Sequence, residues 1–149
     1  FNPLVAPAHA TGIMWFSNLT DYGGMNGLSS CDEIQSPCFD LAPDVPWTMS
    51  AWFHVDVEPL PGCPNNGAPF ADVFTFALVD CESGASELLY TKEDMLCSDY
   101  SHWVEASFDL STHAGKSMRL RLRFDSIDEF ENNGTGVAVD WIRFEQGCP

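Results

Sequence analysis

An antiparallel β-sandwich of about eight strands, a disulfide-bonded jelly roll, is the all-β fold class that this sequence predicts. Three observations carry that expectation. Apolar residues recur at every second position rather than every third or fourth. Clusters of Gly, Pro and Asn interrupt them at strand-length intervals. No segment shows a helical stripe with caps.

Each element follows from local chemistry. Residues 1–10 include Pro3 and Pro7 and read as an extended arm, with residues 11–149 forming one domain. In 47–57, Trp47, Met49, Ala51, Phe53, Val55 and Val57 fall on one face. Thr48, Ser50, Trp52, His54 and Asp56 fall on the other, the pattern of a strand with one buried side. The stretch 58–69, rich in Pro, Gly and Asn, cannot continue a sheet. Residues 71–80 resume as a near-continuously apolar central strand. Segments 86–91 and 102–110 read as further strands, with Asp109, Ser111 and Gly115 marking the next turn. In 118–125, Met118, Leu120, Leu122 and Phe124 alternate with Arg119, Arg121 and Arg123; a helix would scatter both sets around its circumference. In the last strand, 136–144, alternation groups Val137, Val139, Trp141 and Arg143 against Ala138, Asp140, Ile142 and Phe144.

Composition limits the function classes. The 149 residues carry 22 acidic against 6 basic side chains, a net charge of −16. Phosphate backbones would be repelled, so nucleic acid is excluded as a partner, and anionic membrane surfaces are disfavoured. Cations suit such a surface, although acidity also serves solubility alone. No stretch approaches the roughly 20 apolar residues of a membrane-spanning helix. The six cysteines, Cys31, Cys38, Cys63, Cys81, Cys97 and Cys148, are even in number and lack zinc-ligand spacing. They read as disulfides of an oxidising, extracellular compartment. Spacing suggests Cys31–Cys38 as a local pair, Cys81–Cys97 across a hairpin, and Cys63–Cys148 as the remainder.

Candidate chemistry gathers in a few places. The segment 125–140 packs Asp125, Asp128, Glu129, Glu131, Asn132 and Asp140 around a Gly-containing loop. Calcium takes six to eight oxygen ligands, which such a loop offers, though not at EF-hand spacing. The plain alternative is a solvated acidic loop. Asn18, Asp21 and Asn26 form a second oxygen-rich stretch, equally readable as a turn, and Asp72 is a further candidate. Arg119, Arg121 and Arg123 hold half of all the cations on one strand face. They read either as an anion-binding stripe or as partners for the chain's own acids. Trp52, on the polar side of its strand, is a candidate sugar-stacking platform with Tyr22 or Trp15. No nucleophile elbow, zinc-protease motif or phosphate-cradling loop occurs, so no catalytic residue is assigned.

The run 108–144 resembles the C-terminal half of MAM-like jelly-roll domains, which accompany secreted bacterial peptidases of the immune inhibitor A type. The matching residues are Trp103, Asp109-Leu110-Ser111, Ala114-Gly115-Lys116, Arg121-Leu122-Arg123-Phe124, Asp125, Asp128, Gly136 and Asp140-Trp141-Ile142. In the front half, Ser36-Pro37-Cys38-Phe39-Asp40-Leu41, 47–57 and Asp72-Val73-Phe74 are similar more loosely. The resemblance implies a structural calcium ion held by Asp125, Asp128 and Asp140, with Asp72 and Asn132 behind them. Trp141 replaces the second Asp of the family's Asp-Asp pair, removing one implied carboxylate. The resulting expectation is a secreted, non-catalytic calcium-binding module for adhesion or docking to a protein or glycan at a cell surface. A carbohydrate-binding module and a fibre subunit exchanging its N-terminal arm with other copies are the alternatives.

Overall fold

In the computed structural model, the described residues are 15–17, 31–58, 60, 62–63, 72–126 and 136–147; for 15–17 the backbone alone is described. Nine strands occur among them: β1 Trp15–Ser17, β2 Cys31–Gln35, β3 Phe39–Asp40, β4 Trp47–Asp56, β5 Val73–Asp80, β6 Ser86–Thr91, β7 Trp103–Asp109, β8 Ser117–Asp125 and β9 Gly136–Gln146. The helical elements are two single turns, Lys92–Asp94 and Ser111–His113, so none of the described helices is long and apolar enough to cross a membrane. The arm expected for residues 1–10 lies outside the described residues.

The strands form two antiparallel sheets. One has the order β1-β9-β4-β7; the other has the order β2-β8-β5-β6, with β3 also pairing β8. Read position by position, the orders match β1 with β2, β9 with β8, β4 with β5, and β7 with β6, the nested pairing of a jelly roll. Four crossings between the sheets leave β1, β4, β6 and β8 at the same end of the sandwich. The β5–β6 hairpin and the β7–β8 turn lie at the opposite end.

Period-two patterning decides which side chains go inside. Met49, Ala51, Phe53 and Val55 of β4 face Phe74, Phe76 and Leu78 of β5, with Met118, Leu120, Leu122 and Phe124 of β8 in the same buried cluster. Phe53 sits at its centre, with ring centroids 5.1 Å from Phe76, 4.5 Å from Tyr90 and 6.3 Å from Phe108. At about 25 cal/mol per Å2 of apolar surface, each such side chain contributes roughly 1.5–3 kcal/mol.

The last strand departs from simple alternation. Between Ser50 and Trp52 of β4, the register on β9 runs from Arg143 to Asp140, so β9 holds one extra residue. Trp141 occupies this bulge with φ 50°, a left-handed backbone that side chains rarely adopt. The bulge shifts the phase. Val137 and Val139 face inward before it, and Ile142 and Phe144 pack against the core after it. The expected grouping of Val137, Val139, Trp141 and Arg143 is therefore corrected: Trp141 and Arg143 leave the core side, and Ile142 and Phe144 replace them.

The disulfides also differ from expectation. Cys38 pairs with Cys81, and Cys63 with Cys97. The expected Cys31–Cys38 bridge fails because the residues after Cys31 form a strand: Cys31 lies opposite Asp125, while Phe39 lies opposite Met118 near the other end of β8. Cys38 instead meets Cys81, whose N–H donates to Ser117 at the start of β8. Cys63 takes Cys97 because the segments after β4 and after the first helical turn share one end; the Leu60 N–H donates to the Tyr100 hydroxyl at 3.2 Å. Neither Cys81–Cys97 nor Cys63–Cys148 therefore forms. Cys31 is exposed and has no disulfide partner among the described residues, and Cys148 lies outside them.

Candidate ligand-binding face

The outward face of the four-stranded sheet carries two adjacent rows across β9, β4 and β7. Asp140, Trp52 and Glu105 make one row; Ala138, His54 and Trp103 make the other. Strands lie about 4.8 Å apart and same-face neighbours on one strand about 7 Å apart, so the patch spans roughly 10 by 7 Å between Cα positions. Ala138 and Asp140 are only 2% and 1% exposed, whereas Trp52, His54, Trp103 and Trp141 are half-buried. The His54 and Trp103 rings lie 5.4 Å apart, tilted by 57°. Trp141 adjoins Asp140 on β9, and its backbone N–H donates to Asp140 Oδ1 at 2.6 Å. Bulge, carboxylate and indole are thus one local unit.

Burial sets the state of His54. Desolvation lowers its pKa below 6.5, against the opposing pull of Asp56 and the Ser101 backbone, so the ring is neutral at pH 7. Its Nδ1 is buried with no hydrogen-bond partner among the described residues. The Asp140 side chain is buried, and no Lys or Arg forms an ion pair with it among the described residues. Arg143, the next cation on β9, is held by Glu145.

A second polar cluster sits at the end where β4, β6 and β8 finish. Glu58, Asp72 and Lys92 are 4%, 2% and 2% exposed. The Glu58 N–H donates to Asp72 Oδ2 at 3.1 Å, and Lys92 Nζ donates to the Glu58 carbonyl. The Thr91 N–H and hydroxyl both donate to Asp94 Oδ2, at 2.9 and 3.0 Å, which fixes the helical turn that begins at Lys92. Burial lowers the Lys92 pKa to about 8, opposed by the negative charges of Asp72, Glu58 and Glu93.

Three of the residues expected to hold calcium lie on different parts of the sandwich. Asp140 lies on the outward face of the four-stranded sheet. Asp125 lies on the outward face of the five-stranded sheet, where Arg123 Nη2 reaches its Oδ2 at 3.3 Å. Asp72 is in the buried end cluster near the Lys92 ammonium. Asp128 and Asn132 lie outside the described residues. Among the described residues, no group of three His, Cys, Asp or Glu side chains is placed to hold a metal ion.

The arginines do form an outward line on β8. Arg121 Nη2 donates to Ser86 Oγ at 2.9 Å, and Arg123 contacts Asp125 and Cys31. Val73, Thr75, Arg123 and Asp125 line a shallow cleft beside them. Tyr22 lies outside the described residues, and Trp15 pairs in register with Val139. The tryptophans near Trp52 in the register are instead Trp103, on β7 opposite His54, and Trp141, in the bulge beside Asp140. Period two along β7 is the signal that could have found Trp103 and Glu105 on one side of that strand. Trp141 was hidden by the bulge, and no local pattern distinguished Glu58 or Lys92.

No protein-family model matches the chain, and no curated protein matches it significantly. Among solved structures it is similar to the C-terminal domain of EclA, described as a sugar-binding protein. The identity is 10%, over 95% of this chain and 81% of that one, with a TM-score of 0.42. So distant a likeness carries no weight in choosing a ligand, and none of these comparisons bears on the MAM-like resemblance.

Proposed function

We propose that this chain is a non-catalytic extracellular module that binds carbohydrate on the outward face of its four-stranded sheet. The observation that carries this reading is Trp52 and Trp103 on one sheet face, with Trp141 in the adjoining bulge and the exposed Glu105 beside Trp52. Indole faces suit the apolar faces of sugar rings, and carboxylates accept hydrogen bonds from hydroxyls. Most polar substituents on an outward sheet face would serve solubility equally well, but three half-buried tryptophans would not. Binding fits better than hydrolysis. Asp140 and Glu105 flank Trp52 on opposite strands, so the indole fills the space where a scissile bond would have to lie. The two disulfides support an extracellular setting.

The test is a glycan array followed by calorimetry on the strongest binder with wild type and Trp52→Ala. A tenfold or greater loss of affinity, about 1.4 kcal/mol, is expected with the melting temperature retained. Absence of any glycan binding, or equal affinity of the variant, would refute the reading.

A further inference from the structure

Independently of the tryptophan face, we infer that the edge strand β6 of the other sheet takes up an extended segment of a partner protein. That segment carries an apolar side chain and, two residues later, a carboxylate that meets Arg121 and Arg119. Half of the six cations in this chain of net charge −16 lie on β8. Arg123 pairs with Asp125, but among the described residues neither Arg119 nor Arg121 has an ion-pair partner. Arg119 is part-exposed as a residue, yet its Nε is buried with no hydrogen-bond partner among the described residues. The acids nearest by register are committed elsewhere. Asp80 Oδ1 accepts the Glu82 and Ser83 N–H groups, both at 2.9 Å, and Glu87 holds His113 at 2.9 Å. Guanidinium groups left unpaired amid so many acids leave their forks open to an incoming oxyanion.

The register directs that charge to the sheet edge. Arg121 lies in the row of Ala77 and Leu88, but its Nη2 reaches Ser86 Oγ at 2.9 Å, in the row of Arg119 and Val79. The side chain therefore crosses β5, where the outward-facing Ala77 and Val79 are covered. Among the described strands, β6 pairs only with β5. The Asp80 N–H donates to the Ala85 carbonyl at 2.8 Å, so ladder alternation turns the backbone groups of Ser86 and Leu88 away from β5. Both residues are exposed, Leu88 at 60%. A strand added antiparallel to β6 pairs with those groups about 4.8 Å away. It sets an apolar side chain beside Leu88 and, two residues on, a carboxylate beside Ser86 and the Arg121 guanidinium. Leu88 offers no stacking plane to a sugar, and the overall negative field repels polyanions. Both favour a peptide with a single carboxylate over an acidic polysaccharide.

The probe is a capped, threonine-rich peptide carrying Leu-Thr-Glu, titrated into 15N-labelled protein and followed by NMR. Control peptides carry Leu-Thr-Gln and the reversed Glu-Thr-Leu. The Leu-Thr-Glu peptide is expected to shift the Ser86 and Leu88 amides and slow their hydrogen exchange, and to bind at least fivefold more tightly than either control. Arg121→Gln and Arg119→Gln should each shrink the Glu-over-Gln preference to twofold or less. Leu88→Thr, an exposed change that does not threaten folding, should weaken all three peptides. Trp52→Ala should leave peptide binding unchanged, so this inference and the carbohydrate reading fail separately. Silent β6 amides, equal binding of the Glu and Gln peptides, or a preference that survives both arginine substitutions overturns the inference. So does binding of a uronate oligosaccharide at the arginines with no response to any peptide.

Discussion

Replacing Lys92 by Met tests whether the buried end cluster depends on its internal cation. Lys92 Nζ is anchored on the Glu58 carbonyl, and Asp72 Oδ2 on the Glu58 N–H, so one backbone residue ties both charges. Met keeps most of the side-chain volume and removes the charge. Met also removes the buried hydrogen bond that Lys92 donates to the Glu58 carbonyl, a loss of about 1–3 kcal/mol. For a domain of this size, 1 kcal/mol moves Tm by about 2–4 °C, so a fall of roughly 2–12 °C is expected at pH 7. The pH dependence has a definite sign. The folded Lys92 value of about 8 lies below the ordinary 10.5, so the unfolded chain binds more protons between them. Stability from this group is present above pH 10.5 and is lost as pH falls through that value toward about 8. Wild type should therefore gain stability between pH 8 and about 9.5, a rise that Lys92→Met lacks. Thermal and urea melts across that range read both effects. A variant that melts within about 1 °C of wild type at pH 7 and keeps the alkaline rise would refute the reasoning.

Two further outcomes are expected. Trp141 holds a left-handed backbone that glycine accepts and a β-branched side chain strains. Trp141→Val should therefore cost about 1–3 kcal/mol more than Trp141→Gly in urea melts. The calcium expected of Asp125, Asp128, Asp140, Asp72 and Asn132 is open to a direct test. A melt with excess chelator, then calcium, then magnesium reads this: several degrees recovered with calcium and fewer with magnesium supports the ion, and an unchanged curve removes it.

The strands were legible wherever a segment buries one face and wets the other. β4 and β8 alternate so regularly that both their extent and their inward residues follow from the sequence, and the observed β6 spans the expected residues. β2 escaped notice because Cys-Asp-Glu-Ile-Gln has almost no apolar face; it is an exposed edge strand held by backbone pairing to β8. That omission also misled the cysteine assignment, since Cys31 and Cys38 were taken to flank a loop. The candidate face was half legible. Trp52 stood out as an aromatic on the polar side of a strand, but its partners depend on which strands flank β4, and pairing is non-local. Trp141 required knowledge of a one-residue phase shift. Lys92 is a lone lysine in an acidic turn, and only tertiary packing buries it.

The two disulfides have a mechanical consequence. The Cys38–Cys81 bridge encloses β4 and β5, the strands that carry the buried Phe53, Phe74 and Phe76. Tension applied along the chain from either side passes through the sulfur atoms and bypasses that loop of 43 residues, close to 150 Å of extensible length. Tension on the chain can therefore peel β9 or β2 away while the strand that presents Trp52 stays inside its covalent ring.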